Sequence, residues 1–332
     1  MPFSVRQRNP QTKSATTSIS KSSTTGGRDQ ARELFEDEEI GPSLEPKFPV
    51  QHKEFIEGRN YHKTTRPNEQ FLPCDDEEIE RLQINHLLFK KRSLFVTPYF
   101  SPVEHQLKTG IKVLDVGSGP AWWLTDMAKH YANSYFVGVD SVIHPTVPPT
   151  NCHLKLHDLT KKLPFPDNTF DFVTQHDALF RYSKSDWETM LPEIMRVVKP
   201  GGYIEFVEPS GVMQDIGPNM SIWMMRLTVS LQTRNINLKI ASQLGSMLEE
   251  FKEIELIEDS HRSAPIGWYG KTGDIMLECL ERLFDAIKPK ICEDWSMSPA
   301  KYDKLVETAS AECRDFRSWT NIHFTVARKK SN

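Results

Sequence analysis

The chain has 332 residues, of which 38% are hydrophobic and 26% are charged, and its formal net charge is −4. That composition is ordinary for a globular protein, and it excludes the strongly basic surface that would attract nucleic acid or anionic lipid. Five scattered cysteines without a C-x-x-C pair argue against a disulfide framework or a zinc site. The sequence contains neither an apolar run of membrane-spanning length nor a signal-peptide core, so we expect a protein that is cytoplasmic, nuclear or both.

Residues 1–50 are predicted to form a disordered tail and linker. The first 28 residues are rich in Ser and Thr and contain no acid, and the acidic stretch after them contains several prolines. Too few large apolar side chains are present to offset the entropy of ordering such a segment. A mitochondrial transit peptide is the alternative reading of this Arg- and Ser-rich composition, although no apolar helical stripe supports it.

Residues 51–105 are predicted to form a helical cap in front of the main domain. In "PCDDEEIERLQINHLLFKKRSLF", Asp75 can cap a helix with Glu78 three residues later, and acids fill the first turn. Apolar spacing then indicates one packed helix face. The residues of that face are Ile79, Leu82, His86 and Phe89.

Strand-like and helix-like segments alternate from residue 106 to residue 330. Short apolar runs such as "IKVLDVG", "SYFVGVD", "CHLKLHD", "FDFVTQHD" and "GGYIEFVE" predict strands, and amphipathic stretches such as "SKSDWETMLPEIMRVVK" predict helices between them. Two further strands are predicted by "FKEIELIEDSHRSAPIG" and "WTNIHFTVARKK". Alternation of this kind predicts an α/β fold with a Rossmann-like, doubly wound sheet.

The stretch "VLDVGSGPAWW" has the strand-then-glycine pattern of a loop that holds a nucleotide-type cofactor. Gly117 and Gly119 allow a tight turn and a close approach of the backbone to a ligand. The dinucleotide fingerprint would place a third glycine at position 122, where this chain has Trp122. A bulky side chain there disfavours a pyrophosphate, and with it a nicotinamide-dependent oxidoreductase.

The same loop suits S-adenosylmethionine, a cofactor without phosphate. The pattern acid-x-G-x-G-x-G is matched over residues 115–121, with alanine in the last position. Asp140 ends the second strand, where an acid facing a solvent-filled cleft can accept both ribose hydroxyls, and Asp158 ends the third strand, near the adenine. One such aspartate alone would more often start a turn, but the series favours the cofactor. The predicted cofactor contacts are Tyr61, Asp115, Gly117, Ser118, Gly119, Ala121, Asp140, Ser141, Asp158, Leu159 and Gln175.

With these motifs, residues 106–330 resemble the class I S-adenosylmethionine-dependent methyltransferases. More narrowly, "RNYHKTTRPNEQFLPCDDEEIERLQINHLLFK" and "LDVGSGPAWWLTDMA" resemble the fungal LaeA-like group. The resemblance implies a seven-stranded, mostly parallel sheet with an antiparallel C-terminal strand. It also implies that Trp123 packs the helix against the sheet, with Trp122 as its neighbour or as a lip of the pocket.

No catalytic residue is assigned, because methyl transfer depends mainly on alignment of the reactants and on the cofactor's own reactivity. The candidate bases at the strand ends are His176, Asp177 and Glu208, of which His176 could titrate near neutral pH. His176 could equally border the cofactor, and Glu208 could cap a turn. No metal is expected.

An insert at about residues 211–250 is predicted to cover the substrate. Its methionine-rich stretch can wall a pocket for a hydrophobic substrate, or it can be a plain core helix. The side chains in question are Met213, Met220, Trp223, Met224 and Met225.

Two functions remain open from the sequence. The first is a methyltransferase acting on a small-molecule or protein acceptor. The second, implied by the LaeA-like resemblance, is a regulator of secondary metabolism or development that retains the cofactor-binding fold and acts mainly through protein partners. Neither is expected to bind nucleic acid directly or to enter a membrane.

Overall fold

The computed structural model describes residues 53–62, 71–90, 94–95 and 97–331, with the side chains of residues 89 and 90 excepted. The predicted tail at 1–50 and the predicted packing of Phe89 therefore lie outside the described residues. Within the described ranges, no helix is both long and apolar enough to cross a membrane.

The first described elements are a hairpin and a helix. Strands β1 (Lys53–Ile56) and β2 (Arg59–His62) pair antiparallel, and helix α1 follows over Asp76–Lys90. The sequence analysis predicted the helix but not the hairpin. Asp75 caps α1, since its Oδ1 accepts the backbone N–H of Glu78 at 3.1 Å. The Glu78 side chain does not complete a capping box and instead binds Arg81 through two hydrogen bonds of 2.8 Å.

Seven strands form the main sheet. They are β3 (Lys112–Val116), β4 (Tyr135–Asp140), β5 (Cys152–Leu156), β6 (Phe170–His176), β7 (Val198–Gln214), β8 (Ile254–Pro265) and β9 (Trp319–Lys329). Their order across the sheet is β5–β4–β3–β6–β7–β9–β8. The strands from β5 to β7 are parallel, whereas the C-terminal strand β9 is antiparallel to both of its neighbours. The predicted fold class is therefore confirmed.

Helices cover the sheet on both faces. They are α2 (Glu104–Thr109), α3 (Trp122–His130), α4 (Lys184–Val197), α5 (Pro218–Gln232), α6 (Leu244–Glu249), α7 (Lys271–Asp294) and α8 (Pro299–Asp315), with a 3₁₀ turn at Ile240–Ser242. All six residues of β4 are buried, as expected for a central strand covered on both faces.

The strand register brings the chemistry-bearing loops together. Asp115 of β3 lies opposite Gly138 of β4, and Leu114 lies opposite Val173 of β6. The carboxyl ends of these three parallel strands therefore meet at one edge of the sheet, where open α/β folds bind their ligands. Gly138 lets the glycine loop pack closely, because a Cβ there would approach the Ser118 hydroxyl to 2.8 Å.

The insert at residues 211–250 is built of the end of β7, α5, the 3₁₀ turn and α6. Trp223 on α5 is buried, its ring contacts Phe284 edge-on, and its Nε1 donates to the Tyr302 hydroxyl at 3.3 Å. None of the five Met and Trp side chains singled out in this stretch lines either cavity described below. These contacts favour the core-helix alternative for α5.

Candidate functional site

The loop between β3 and α3 holds three residues in the left-handed region of backbone conformation. They are Gly117 (φ 79°), Gly119 (φ 52°) and Ala121 (φ 59°). Glycine adopts such angles without strain, whereas an alanine there costs roughly 1–2 kcal/mol. The backbone conformation thus explains why the last position of the acid-x-G-x-G-x-G pattern is usually glycine. The methyl group of Ala121 causes backbone strain there in addition to occupying space. A Cβ at Gly119 would meet no atom within 4 Å, so this part of the loop faces open space.

Asp115 lies at the end of β3 with only 3% of its surface exposed. Burial, together with the nearby charge of Asp140, raises the pKa of its carboxyl to about 8. Beside it, the Ser118 hydroxyl is buried and has no hydrogen-bond partner among the described residues. Both residues line the same cavity. A ligand that carries a positive charge or a hydrogen-bonding group would compensate for the burial of their polar atoms.

Asp140 is fully buried. Its Oδ2 accepts the Gly119 N–H at 2.7 Å, and its Oδ1 accepts the Val142 N–H at 2.9 Å. Arg181 Nη1 lies 3.7 Å from Oδ2. The expectation that Asp140 faces a solvent-filled cleft is therefore wrong, because the glycine loop folds back onto the carboxylate and uses it as a hydrogen-bond acceptor.

Two cavities meet beside Asp140. The first, of about 110 Å³, is lined by the loop residues Asp115, Gly117, Ser118 and Gly119 and by mainly apolar walls. The second, of about 460 Å³, is lined by Ser141, Asp158 and Leu159, among others. Leu82 of α1 and Arg181 line both cavities, so these two side chains stand at the boundary.

Four predicted contacts line neither cavity: Tyr61, Ala121, Asp140 and Gln175. Tyr61 is buried beneath the Lys290 ammonium, which lies 5.3 Å from the ring centroid, and its hydroxyl has no partner among the described residues. Gln175 is fully buried and likewise has unpartnered amide atoms. Successive side chains of a strand point to opposite faces, so the next residues, His62 and His176, line the cavities instead.

Two tryptophans follow the loop. Trp123 is buried, donates its Nε1 hydrogen to the Pro98 carbonyl at 2.7 Å and contacts the His176 ring edge-on at 5.0 Å. Its predicted packing between helix and sheet is thereby confirmed. Trp122 is partly exposed and lines the first cavity, which favours the interpretation of this side chain as a lip.

His176 does not have the expected near-neutral pKa. Its Nε2 lies 3.0 Å from the Thr174 hydroxyl, and burial, followed by the neighbouring charge of His86, lowers the pKa of the ring to about 3. The imidazole is therefore neutral at physiological pH. A ring with so low a pKa is a poor general base.

Asp177 is the candidate base best placed for chemistry. It lines the first cavity and has a φ of 53°, an unusual value for a residue other than glycine. Its Oδ2 accepts the Asn85 amide of α1 at 2.8 Å, and burial raises the pKa of its carboxyl, although Arg81 and Arg181 oppose this shift. Glu208, by contrast, is fully buried, accepts the Ala178 N–H and lines neither cavity.

Sequence reasoning missed the part that Arg181 and Asn85 have in the site. Arg181 follows β6 by five positions and carried no motif. Asn85 adjoins the predicted helix face, and its neighbour His86 bonds Asp126 of α3 at 3.1 Å. The spacing of α1 could have suggested these contacts, but nothing local indicates which loop lies opposite. Among the described residues, no group of three potential ligands is placed to hold a metal ion.

Comparison with known proteins agrees with this geometry. Residues 113–202 match a family model described as a methyltransferase domain. The secondary metabolism regulator laeA of Aspergillus niger is 31% identical over 153 residues, which cover 46% of this chain and 39% of that protein. The protein-methionine methyltransferase laeA of Emericella nidulans is 30% identical over 173 residues, or 50% of this chain and 44% of that protein. The chain thus spans less than half the length of either relative.

Among solved structures, the phosphoethanolamine N-methyltransferase 2 of Haemonchus contortus in complex with S-adenosyl-L-methionine is similar. The TM-score is 0.41 and the sequence identity is 16%. The matched region covers 76% of this chain and 53% of the Haemonchus contortus chain. The strand order, the glycine loop and the match at residues 113–202 agree with a methyltransferase domain, and the chain is similar to LaeA-like proteins.

Proposed function

We propose that the protein is an S-adenosylmethionine-dependent methyltransferase that binds its cofactor across the two adjoining cavities. One observation carries this proposal: seven of the eleven predicted cofactor contacts line one or the other of two adjoining cavities. Asp115 and the glycine loop line the first, and Asp158 with its neighbours lines the second. Asp140, the predicted ribose acid, lies near the boundary marked by Arg181.

The residues present fit such a cofactor. Asp115 is a buried carboxyl whose raised pKa reflects the cost of ionisation without a cation beside it, and the cofactor's amino group is a cation. The Ser118 hydroxyl has no partner among the described residues, and a Cβ at Gly119 would meet no atom within 4 Å. Ser141, Asp158 and Leu159 would hold the adenosine end. When bound, the cofactor supplies a methyl group that is activated by the positive charge on sulfur.

The protein's own contribution is to align an acceptor and exclude water. Apolar side chains form most of the first cavity's wall, and they include Phe95, Phe100, Trp122, Trp123 and Val207. Asp177 offers the same cavity a carboxyl that can hold a proton or orient a polar acceptor.

An uncharged, largely apolar acceptor fits these walls best. One relative is named a protein-methionine methyltransferase, which supports a thioether as the acceptor group. A thioether sulfur has no proton to lose on methylation, so such a reaction would need no general base. The regulatory alternative, in which the protein acts mainly through partners, is supported by relatives that are named regulators of secondary metabolism.

Calorimetry followed by methyl labelling tests the proposal. The purified protein should bind S-adenosylmethionine and its demethylated product, and not NAD. Labelled cofactor should then transfer its methyl group to a protein or small-molecule fraction of extract. Asp115→Ala should abolish both results, whereas Glu307→Ala on the exposed face of α8 should change neither. Tighter binding of NAD contradicts the proposal, and binding without transfer to any fraction favours the regulatory alternative.

A further inference from the structure

The edge strand β8 is long, exposed and paired on one side only. It spans Ile254–Pro265 and bonds to β9, and no other strand of the described residues pairs with it. Since neighbouring residues direct their backbone groups alternately to the two sides of a strand, about half of its N–H and C=O groups face away from β9. A β-bulge between Leu256 and Glu258 and the proline at 265 bound a regular segment at residues 258–264.

Charged side chains on an edge strand normally oppose pairing with another chain. In β8, however, the order of the charges along the strand favours pairing with one partner, which is a second copy of the same strand. The central sequence is "EDSHR", with two acids before Ser260 and two basic residues after it. All four of these side chains are exposed.

A two-fold axis fixes the possible registers. Side chains alternate between faces, so residues opposite each other in a continuous antiparallel sheet must be an even number of positions apart. An axis at Asp259 would place two aspartates opposite each other, and an axis at His261 would place two histidines opposite each other. An axis at Ser260 instead places each acid of this five-residue segment opposite a basic residue. Its pairs are Glu258 with Arg262 and Asp259 with His261, each formed twice by symmetry.

The side chains concerned are available for such pairing. Neither Glu258 nor Arg262 forms an ion pair within the part of the chain that the structure describes. The Arg262 guanidinium lies 5.3 Å from the Phe324 ring centroid of β9, which holds it close to the sheet. Asp259 accepts the Thr325 hydroxyl at 2.8 Å through Oδ1, so its side chain is held against β9.

We propose that two copies of this chain associate through β8, in an antiparallel pairing centred on Ser260 that joins their sheets edge to edge. The inference is independent of the proposed function, because β8 contributes no residue to either cavity.

Sedimentation velocity on the full chain over a range of concentrations tests the proposal. The wild type should show a reversible monomer–dimer equilibrium. Glu258→Arg and Arg262→Glu each replace two opposite-charge pairs by two like-charge pairs, so each should weaken the dimer by about tenfold or more. The double variant Glu258→Arg/Arg262→Glu restores both pairs in reversed order and should recover the wild-type equilibrium.

A mixing experiment separates direct pairing from loss of folding. A copy with arginine at both positions complements a copy with glutamate at both, so the two single variants should form a heterodimer when mixed. Glu307→Arg on α8 is the matched control and should associate like the wild type, and melting temperatures of all variants confirm that each is folded. A wild type that stays monomeric at every concentration overturns the proposal. So does failure of both the double variant and the mixture to associate.

Discussion

Arg181 Nη1 lies 3.7 Å from Asp140 Oδ2, at the point where the two cavities of the site meet. Burial alone would lower the pKa of Arg181, but the carboxylates of Asp140, Glu78 and Asp177 together raise it. A permanent positive charge therefore lies beside the acid predicted for the cofactor's ribose. Any ligand that spans both cavities must pass or displace this guanidinium.

Replacement of Arg181 should change the preference between cofactor and product. S-adenosylmethionine carries a sulfonium charge that its demethylated product lacks, so a nearby cation disfavours the cofactor selectively. For charges roughly 10 Å apart at an effective dielectric constant of ~20, the repulsion is about 1–2 kcal/mol. Arg181→Met should thus shift the ratio of the two dissociation constants toward the cofactor by about fivefold to thirtyfold. Calorimetry measures both constants, and Arg181→Lys, which keeps the charge, should leave the ratio unchanged.

Asp140→Ala should weaken both cofactor binding and the fold. Loss of the carboxylate that we predict to bond the ribose should cost on the order of 2–4 kcal/mol of binding free energy. The buried N–H group of Gly119 would also lose its acceptor, at about 1–3 kcal/mol in the free energy of unfolding, and the partly buried N–H group of Val142 would lose its own acceptor at a smaller cost. Asp140→Asn keeps one acceptor oxygen, so its cofactor affinity and its free energy of unfolding should lie between those of Asp140→Ala and the wild type. Affinity and urea denaturation are measured side by side, and an unchanged stability of the alanine variant would mean that water replaces the carboxylate.

His176 should make the protein sensitive to acid but not to changes around neutral pH. Its folded pKa of about 3 lies below the ordinary value of 6.5, so its contribution to stability is complete above pH 6.5 and is lost as the pH falls toward 3. Between pH 6.5 and pH 5 this loss amounts to about 2 kcal/mol at most, at 1.36 kcal/mol per unit. His176→Asn, which can still bond Thr174, should lose less stability over the same interval. Urea denaturation at pH 6.5 and pH 5 measures the loss of stability in both proteins. An equal loss in the wild type and in His176→Asn would contradict the prediction.

The fold could be predicted because its signal is local. Residues 113–116 and 135–140 are buried, and a parallel strand that helices cover on both faces must be mainly apolar. The turn residues at Gly117 and the aspartate at the end of β4 mark where each strand ends. These patterns can be read from the sequence because helices and strands each have a characteristic spacing of apolar residues.

The site could be predicted in part, since residues at strand ends converge wherever parallel strands meet. Its details depend on contacts that no local pattern encodes. His62 rather than Tyr61 lines a cavity because of the register of the β1–β2 hairpin. Asp140 is buried because the loop between β3 and α3 folds back onto it. The low pKa of His176 arises from burial beneath Trp123 and the approach of α1, which are tertiary contacts.

Deletion of the N-terminal segment should have two distinct outcomes. Removal of residues 1–45 should leave the fold and cofactor binding intact. Removal of residues 1–95 should impair both, because α1 lines both cavities through Leu82 and bonds the main domain through Asn85 and His86. Calorimetry and thermal melting of both truncated proteins test this, with full-length protein as the control. Full binding by the shorter protein would show that the segment is a separate module.

Glu205 should destabilise the protein as the pH rises toward 7. This residue of β7 is fully buried, and its Oε2 accepts hydrogen bonds from Ser101 Oγ at 2.7 Å, Ser101 N at 2.6 Å and Phe100 N at 2.9 Å. Its Oε1 has no partner within the described residues. Burial raises the pKa of the carboxyl to about 7 against the opposing effect of these bonds.

The direction of the effect follows from proton linkage. The folded state keeps a proton on Glu205 that the unfolded chain releases above pH 4.5, so the folded state is favoured fully below that value and progressively less up to pH 7. The total change is on the order of 3 kcal/mol. Glu205→Gln keeps an oxygen for the three donors and removes the titration, so its stability relative to the wild type should increase from pH 5 to pH 8. Urea denaturation at these two values measures the difference, with Glu307→Gln as an exposed control that should parallel the wild type. A difference between Glu205→Gln and wild type that is independent of pH would show that Glu205 is ionised in the folded protein throughout this range.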